Sequence, residues 1–135
     1  MPLTTQFEAS LLLILATVLS MMIGMDRERR DVPAGLRTHM LVGMGACVFT
    51  MLSVHAFPDS ESARVAAQVV SGIGFIGAGT ILQHKRNVHH LTTAASIWAT
   101  AAVGMAVGVG AWFLAIASTL IIWVVLNIVR KFEEK

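Results

Sequence analysis

Five long apolar runs constrain this chain more than any other feature of its sequence. Each has about 20 residues, the length that an α-helix needs to cross the hydrocarbon core of a bilayer. Apolar residues make up 56% of the chain and charged residues 13%, about half the charged share of roughly 25% in soluble domains. We predict an all-α integral membrane protein, a single domain over 1–135 without a soluble C-terminal domain. Its five predicted transmembrane helices are 7–25, 36–57, 63–83, 91–108 and 110–129.

The basic residues predict how these spans are oriented. Nine of the ten Lys and Arg residues lie in the first joint, in the third joint or at the C-terminus, and only Arg64 lies at the second joint. Cytoplasmic loops of membrane proteins carry an excess of Lys and Arg. Because the number of spans is odd, this asymmetry predicts an N-terminus outside the cell and a C-terminus in the cytoplasm.

A glycine-rich stretch, Val69–Trp98, covers the third span and the start of the fourth. Four of its glycines fall within eight apolar positions, although a mid-helix glycine costs about 0.5–1 kcal/mol relative to alanine in a soluble protein. In membranes, small residues let helix backbones approach closely. We therefore predict that the third and fourth spans pack tightly together. The candidate helix-packing residues are Ser71, Gly72, Gly74, Gly77, Ala78 and Gly79.

The same glycines match the dinucleotide-binding pattern G-x-G-x-x-G. That site needs a strand before the glycines and an acidic residue about 20 positions after them. Here the pattern lies inside a membrane span, and no Asp or Glu occurs between Glu61 and Glu133. We therefore expect no nucleotide.

The joint after the first span is densely charged, with seven ionised residues in the twelve positions 26–37. If the first helix continues to Asp31, Asp26 faces Arg30 and Arg27 faces Asp31. One interpretation is a solvated cap that only enforces orientation, since surface ion pairs contribute little stability. The other is a cytoplasmic-face site with an acidic side chain partly buried among helix ends. The candidate residues of that site are Asp26, Arg27, Glu28, Arg37, Thr38 and His39.

Hydroxyl residues follow one sector of the fourth span. The candidate polar stripe consists of Thr92, Thr93, Ser96 and Thr100. One interpretation is helix packing, with each hydroxyl bonded to a carbonyl of its own helix one turn earlier. The alternative is a lined cavity or ion path.

Several classes of function lack support in the sequence. No charged residue lies in the middle of a span, which argues against a carrier that uses a midplane carboxylate. No Ser-His-Asp, HExxH or paired-carboxylate arrangement occurs at membrane depth, so we expect no enzyme and no cofactor. The basic residues lie at span ends, which implies no nucleic-acid surface.

Two sets of side chains could bind a metal. Met40, Met44, Cys47 and Met51 on the second span are soft ligands that could suit Cu(I), although methionine more commonly fills gaps in packing. The histidines at 84, 89 and 90 do not follow a zinc spacing.

Four motifs in sequence order resemble the MgtC/SapB family of bacterial inner-membrane proteins. They are Ile23–Glu28, Ala34–His39, Gly72–Ile81 and Leu91–Trp98, within a match over about 12–110. The resemblance implies a five-span domain, multi-pass in the bacterial inner membrane, and an association with adaptation to low magnesium. In pathogens, the resemblance also implies an association with intracellular survival. It leaves two roles open, Mg²⁺ transport and regulation through other membrane proteins.

This chain departs from the family pattern in several places. Asp26 stands where the family usually has Glu, and His89-His90 replace a usual Arg-Gly. Virulence-associated members often carry Asn and Cys where this chain has Thr92 and Ala99, so no virulence role is carried over. Many members also have a soluble C-terminal regulatory domain, and we expect any sensing by that domain to be absent here or supplied by a partner.

Three hypotheses follow for function. The first is a non-enzymatic protein that acts by helix contacts with itself or another membrane protein, in magnesium or membrane-energy homeostasis. The second is a Mg²⁺ channel or transporter whose path uses the Thr93, Ser96 and Thr100 stripe with a mouth at Asp26 and Glu28. The third is a structural adaptor of a larger complex. The expected partners are membrane lipid and either a second copy of the chain or another membrane protein. Mg²⁺ is the one ion that the resemblance suggests as a ligand.

Overall fold

The computed structural model describes residues 2–57, 62–83 and 89–133 and is helical almost throughout. Five of its helical stretches are long and apolar enough to cross a membrane. No strand occurs in the residues just given, so the five-span, all-α prediction is confirmed. The helices are α1 (Leu3–Arg29), α2 (Leu36–His55), α3 (Ser62–Gln83), α4 (His89–Gly108), α5 (Trp112–Val124) and α6 (Arg130–Glu133), and a π-helical segment, Val125–Val129, joins α5 to α6.

Helix α1 extends beyond the predicted first span at both ends. It ends at Arg29 rather than Met25, so the first charged residues of the joint are helical. The prediction followed the apolar residues, but the backbone of a helix can continue where its side chains become charged. The residue after the cap, Asp31, has a φ of 52°. The helix therefore ends before Asp31, and the expected pairing of Arg27 with Asp31 does not form in the described chain.

A tight turn joins α4 to α5, as the glycine-rich joint predicts, but α5 begins two residues later than expected. Gly110 adopts a φ of +85°, which glycine tolerates at no steric cost. The Gly110 N–H donates to the carbonyl of Val107, and the Ala111 N–H donates to that of Ala106, both at 2.9 Å. This pair of bonds is the Schellman arrangement that ends a helix.

The centre of the bundle is formed by α1, α2 and α4, which make the most extensive contacts. Glycines allow these backbones to meet. A Cβ added at Gly24 would lie 2.9 Å from the Leu36 carbonyl oxygen, and one at Gly108 would lie 2.8 Å from the Thr50 Cβ. A Cβ added at Gly104 would collide with the carbonyl oxygen of Gly43. These contacts leave no room for a side chain.

Helix α3 packs more extensively against α4 than against α2, as the sequence predicts, but most of its glycines do not form the contact. A Cβ at Gly77 would lie 3.3 Å from that of Ala94, so this glycine does contact α4. At Gly72, Gly74 and Gly79, an added Cβ would meet no heavy atom within 4 Å. At about 100° per residue, the four glycines are spread around the helix and cannot all face one neighbour. Within the described chain, close backbone approach therefore uses glycines of α1, α2 and α4 more than those of α3.

Large apolar side chains cover the outside of the bundle, including Phe75, Phe113 and Ile121, which are 83%, 72% and 63% exposed. In water such a surface would be an aggregation hazard. It suits contact with lipid, which is as apolar as the side chains themselves. The structure thus supports a multi-pass membrane protein.

Candidate functional site

Polar and charged side chains are buried together where α1 ends and where α2 and α4 begin. We call this group the polar cluster; its members are Asp26, Arg27, Arg30, His39, Thr93, Ser96 and Asn127. Five of them are at most 6% exposed, and His39 and Thr93 are fully buried. Buried polar groups are costly unless they are hydrogen-bonded, so their partners define what the cluster can do.

Arg27 connects α1 to α4 inside the cluster. Its Nη2 donates a hydrogen bond of 3.0 Å to the Thr93 Oγ1, and its Nη1 lies 3.9 Å from the Asp26 Oδ2. The Arg27 Nε is buried and has no hydrogen-bond partner among the residues that the structure describes. Arg27 is only 4% exposed, so most of its charge must be balanced within the protein.

Asp26 makes its shorter contacts with a second arginine, Arg30. The Arg30 Nε lies 3.3 Å and 3.2 Å from the two oxygens of the Asp26 carboxylate, and the Arg30 Nη2 lies 3.2 Å from its Oδ1. This is the ion pair one turn apart that the sequence predicts. Arg30 also donates a 3.0 Å bond to the Asn127 Oδ1 in the π-helical segment. Two guanidinium groups therefore share one carboxylate, and the group of three carries a net charge of +1.

His39 connects α2 to α4. Its Nδ1 lies 2.8 Å from the Gly35 carbonyl oxygen, and its Nε2 lies 2.9 Å from the Ser96 Oγ. Ser96 is also 2.8 Å from the Thr93 carbonyl oxygen. A continuous chain of contacts thus runs from Gly35 through His39 and Ser96 to Thr93, whose hydroxyl accepts the bond from Arg27.

The remaining residues of the predicted cytoplasmic-face set lie apart from the polar cluster. Glu28 and Arg37 are exposed and Thr38 is half-buried. The Glu28 Oε2 accepts a 2.8 Å bond from the Leu36 N–H at the start of α2. All three line a polar cavity of about 250 Å³. The structure therefore divides the set, with Asp26, Arg27 and His39 facing inward and the other three facing the cavity.

Three of the four stripe residues are buried. Thr93 and Thr100 are fully buried and Ser96 is 4% exposed, whereas Thr92 is exposed. The Thr100 Oγ1 donates a 2.7 Å bond to the Ser96 carbonyl oxygen, the intrahelical pattern expected of a packing stripe. The Ser96 hydroxyl also bonds within α4, to the Thr93 carbonyl. In addition, Thr93 and Ser96 link α4 to Arg27 and His39.

The helix-packing candidates on α3 lie away from the cluster. Gly77 is buried against α4, whereas Ser71, Gly72, Gly74, Ala78 and Gly79 are exposed. Of the soft side chains on α2, Cys47 and Met51 lie in the apolar core. Among the described residues, no three His, Cys, Asp or Glu side chains are grouped to hold a metal ion. His84 and the side chain of His89 lie outside the described residues.

Two members of the cluster were missed by sequence reasoning as site residues. Arg30 was assigned only to a surface pair. Asn127 received no role, although a lone amide in the last apolar run is a usable signal, because polar groups at membrane depth usually find a partner. The sequence contains no comparable signal that marks Gly24 and Gly43 as residues that pack against neighbouring helices.

The sequence of this chain matches one family model and several known proteins. A family model described as "MgtC family" matches residues 13–135. The "Putative magnesium transporter YhiD" of Escherichia coli K12 is 47% identical over 124 residues, covering 86% of this chain and 58% of the relative. "Protein MgtC" of Salmonella typhimurium LT2 is 47% identical over 110 residues, covering 82% of this chain and 47% of the relative.

The chain thus spans about half the length of these curated relatives. An uncharacterized protein of Haemophilus influenzae is 42% identical over 123 residues. No solved structure matches the chain. The family-model match over nearly the whole chain, together with these identities, shows that the chain belongs to the MgtC family.

Proposed function

We propose that this chain is a bacterial inner-membrane protein that supports magnesium homeostasis by contacting another membrane protein through α3. The family and the names of the relatives, one of them a putative magnesium transporter, support the link to magnesium. In this proposal the chain is not an enzyme, needs no cofactor and contacts no nucleic acid. Its partners are membrane lipid and one transmembrane helix of another protein.

The observation that carries the proposal is a face of α3 that points away from the bundle. We call it the small-residue face: Ala67, Ser71, Gly74 and Ala78, all exposed. At about 100° per residue they fall within an arc of roughly 60°, and the buried Val69 lies roughly opposite them. An added Cβ at Gly74 would meet nothing within 4 Å.

Small residues gain little by facing lipid. Burial of apolar surface does not drive helices together in a membrane, because lipid tails are equally apolar. Helices therefore associate through close packing, and their interfaces are enriched in small residues. The lipid-facing side of α5 carries large side chains instead, such as Phe113, Leu114 and Ile121. The contrast between the two helices favours a helix, rather than lipid, as the occupant of the small-residue face.

Transport of Mg²⁺ is the second candidate, because one relative is named a putative transporter. A path along the stripe would need hydroxyl oxygens that are free to bind an ion. The Ser96 and Thr100 hydroxyls bond within the protein, and the Arg27 guanidinium lies on the Thr93 hydroxyl. A buried positive charge at the end of the stripe opposes entry of a cation, and this favours the first proposal.

The proposed orientation places the polar cluster at the cytoplasmic surface, as the distribution of basic residues indicates. We expect a thiol at Arg29→Cys, an exposed position, to react with a membrane-impermeant maleimide only after cells are lysed. Cys47→Ala supplies the background, because that buried cysteine is then absent. Labelling in intact cells would show that the orientation is the opposite of the proposed one.

Gly74→Leu is expected to abolish function without unfolding the protein, because the new side chain enters open space within the monomer and blocks the small-residue face. We would place a photoreactive amino acid at Ala67 and measure crosslinked adducts, together with growth at low Mg²⁺, in a strain lacking its own copy. Loss of both the adduct and growth is expected. Ala102→Leu, at an exposed alanine of α4, is the matched control and should preserve both.

Three outcomes would contradict the proposal: an adduct that persists in Gly74→Leu, the absence of any adduct at position 67, or Mg²⁺ flux by the purified chain in proteoliposomes. An adduct with the mass of two copies of the chain would make the partner a second copy. Flux that survives Asp26→Asn and Thr93→Val would also remove the stripe and the acidic mouth as its path.

A further inference from the structure

The contacts of His39 fix where its protons must be. A carbonyl oxygen only accepts hydrogen bonds, so the 2.8 Å contact with the Gly35 carbonyl requires a hydrogen on the Nδ1. In the neutral ring the Nε2 then carries a lone pair and accepts from the Ser96 hydroxyl, 2.9 Å away. Neutral histidine bound in this way is the Nδ1–H tautomer.

Ser96 has one hydrogen and two candidate acceptors. Its Oγ lies 2.9 Å from the His39 Nε2 and 2.8 Å from the Thr93 carbonyl oxygen, and one hydroxyl hydrogen cannot serve both fully. If His39 takes up a proton, its Nε2 becomes a donor to the Ser96 Oγ, and the hydroxyl hydrogen is free for the Thr93 carbonyl. Rotation of one O–H bond therefore satisfies the ring in either charge state.

We propose that His39 and Ser96 form a proton-operated switch that controls how the start of α4 is held against α1. The proton comes from a hydronium ion in water on the side of the α1–α2 joint. One O–H bond of that ion breaks and one N–H bond forms at the Nε2, so the imidazole becomes an imidazolium and the hydronium ion becomes water. The proposal does not depend on the partner suggested for α3.

The charges around His39 determine what a second positive charge does there. From α1 it faces the Arg27 guanidinium. Behind Arg27 lies Asp26, which also contacts Arg30. From α4 it faces Ser96 and Thr93, with the buried His90 one turn earlier. On its own helix Arg37 is exposed. Helix α3, in its described residues, has Arg64 as its one titratable side chain, near the opposite end.

Protonation therefore raises the net charge of the polar cluster from +1 to +2. Asp26 is already held by Arg30, so it cannot compensate the new charge fully. The Thr93 hydroxyl accepts a hydrogen bond from the Arg27 guanidinium. The Thr93 carbonyl accepts one from Ser96, which contacts His39. Like charges repel strongly where water is excluded, so the imidazolium repels the Arg27 guanidinium and weakens the Arg27–Thr93 bond. Its loss releases the first turn of α4.

The first test reads the protons directly in the unsubstituted protein. Histidine labelled with ¹⁵N, in lipid nanodiscs, should show His39 as the Nδ1–H tautomer at high pH and as a doubly protonated ring at low pH while the protein stays folded. The signal is assigned by its loss in His39→Gln or by its shift in Ser96→Ala. An Nε2–H tautomer, or a ring that stays neutral until the protein unfolds, would overturn the proposal.

The second test reads the movement of α4. A nitroxide is attached at Thr92→Cys, an exposed position beside Thr93, in the Cys47→Ala background. Its mobility should increase in one step as pH falls. His39→Gln should remove the step, and Ser96→Ala should displace it along the pH axis. His55→Gln, exposed at the other end of α2, should leave it in place. A step that persists in His39→Gln, or no step in the unsubstituted chain, would reject the switch.

Discussion

Asp26→Asn is expected to lower the free energy of unfolding by about 3–5 kcal/mol, the range for removing one partner of a buried ion pair. The Asp26 side chain is 7% exposed and is the only acidic group in contact with either Arg27 or Arg30 in the described structure. Without it, two guanidinium groups remain in a cluster that has no compensating charge. Unfolding by denaturant in lipid nanodiscs would measure the loss.

Asp31→Asn is the matched control, because Asp31 is exposed beyond the end of α1. It should change stability by less than about 0.5 kcal/mol. Replacing Arg30 in the Asp26→Asn background should cost less than replacing it alone, because the two residues interact directly. Equal effects of Asp26→Asn and Asp31→Asn would show that the cluster is not a buried charge pair.

Gly104→Ala is expected to destabilise the protein by about 1–3 kcal/mol, the usual cost of overpacking a filled core. The new Cβ would collide with the Gly43 carbonyl oxygen, a backbone atom that cannot rotate away, so α2 and α4 must separate. The same unfolding measurement detects the change, and loss of the contact should also increase proteolysis of the chain in detergent.

Gly79→Ala is the control for this change. A Cβ at Gly79 meets nothing within 4 Å, so the substitution should be neutral or slightly stabilising, since alanine favours a helix more than glycine does. If Gly104→Ala were tolerated as well as Gly79→Ala, the close approach of α2 and α4 would not exist.

Local features of the candidate site were predictable because they depend on positions close together in the chain. The pairing of Asp26 with Arg30 follows from their separation by one helical turn, and the structure shows it. The bonding of the Thr100 hydroxyl to its own helix follows from the same geometry. The pairing of Arg27 with Asp31 failed only because the helix ends too early, and helix ends depend on what the next residues contact.

The sequence by itself determined that there are five spans. A bilayer requires every backbone group of a spanning segment to be paired, and a run of about 20 apolar residues meets this requirement as a helix. It could not determine which side of each helix meets a neighbour. Glycine is small on every face of a helix, so its position alone does not distinguish Gly104, which is packed, from Gly74, which is open. That choice depends on how each helix is rotated about its axis.

The tertiary structure alone decided which distant polar groups meet. His39 and Ser96 are 57 residues apart, and Arg30 and Asn127 are 97 residues apart. Each of these side chains could have faced solvent in another arrangement of the same five helices. Burial makes the partners necessary, because a polar group removed from water must be satisfied within the protein, and only the packing of α1, α2, α4 and the π-helical segment determines which partner is within reach.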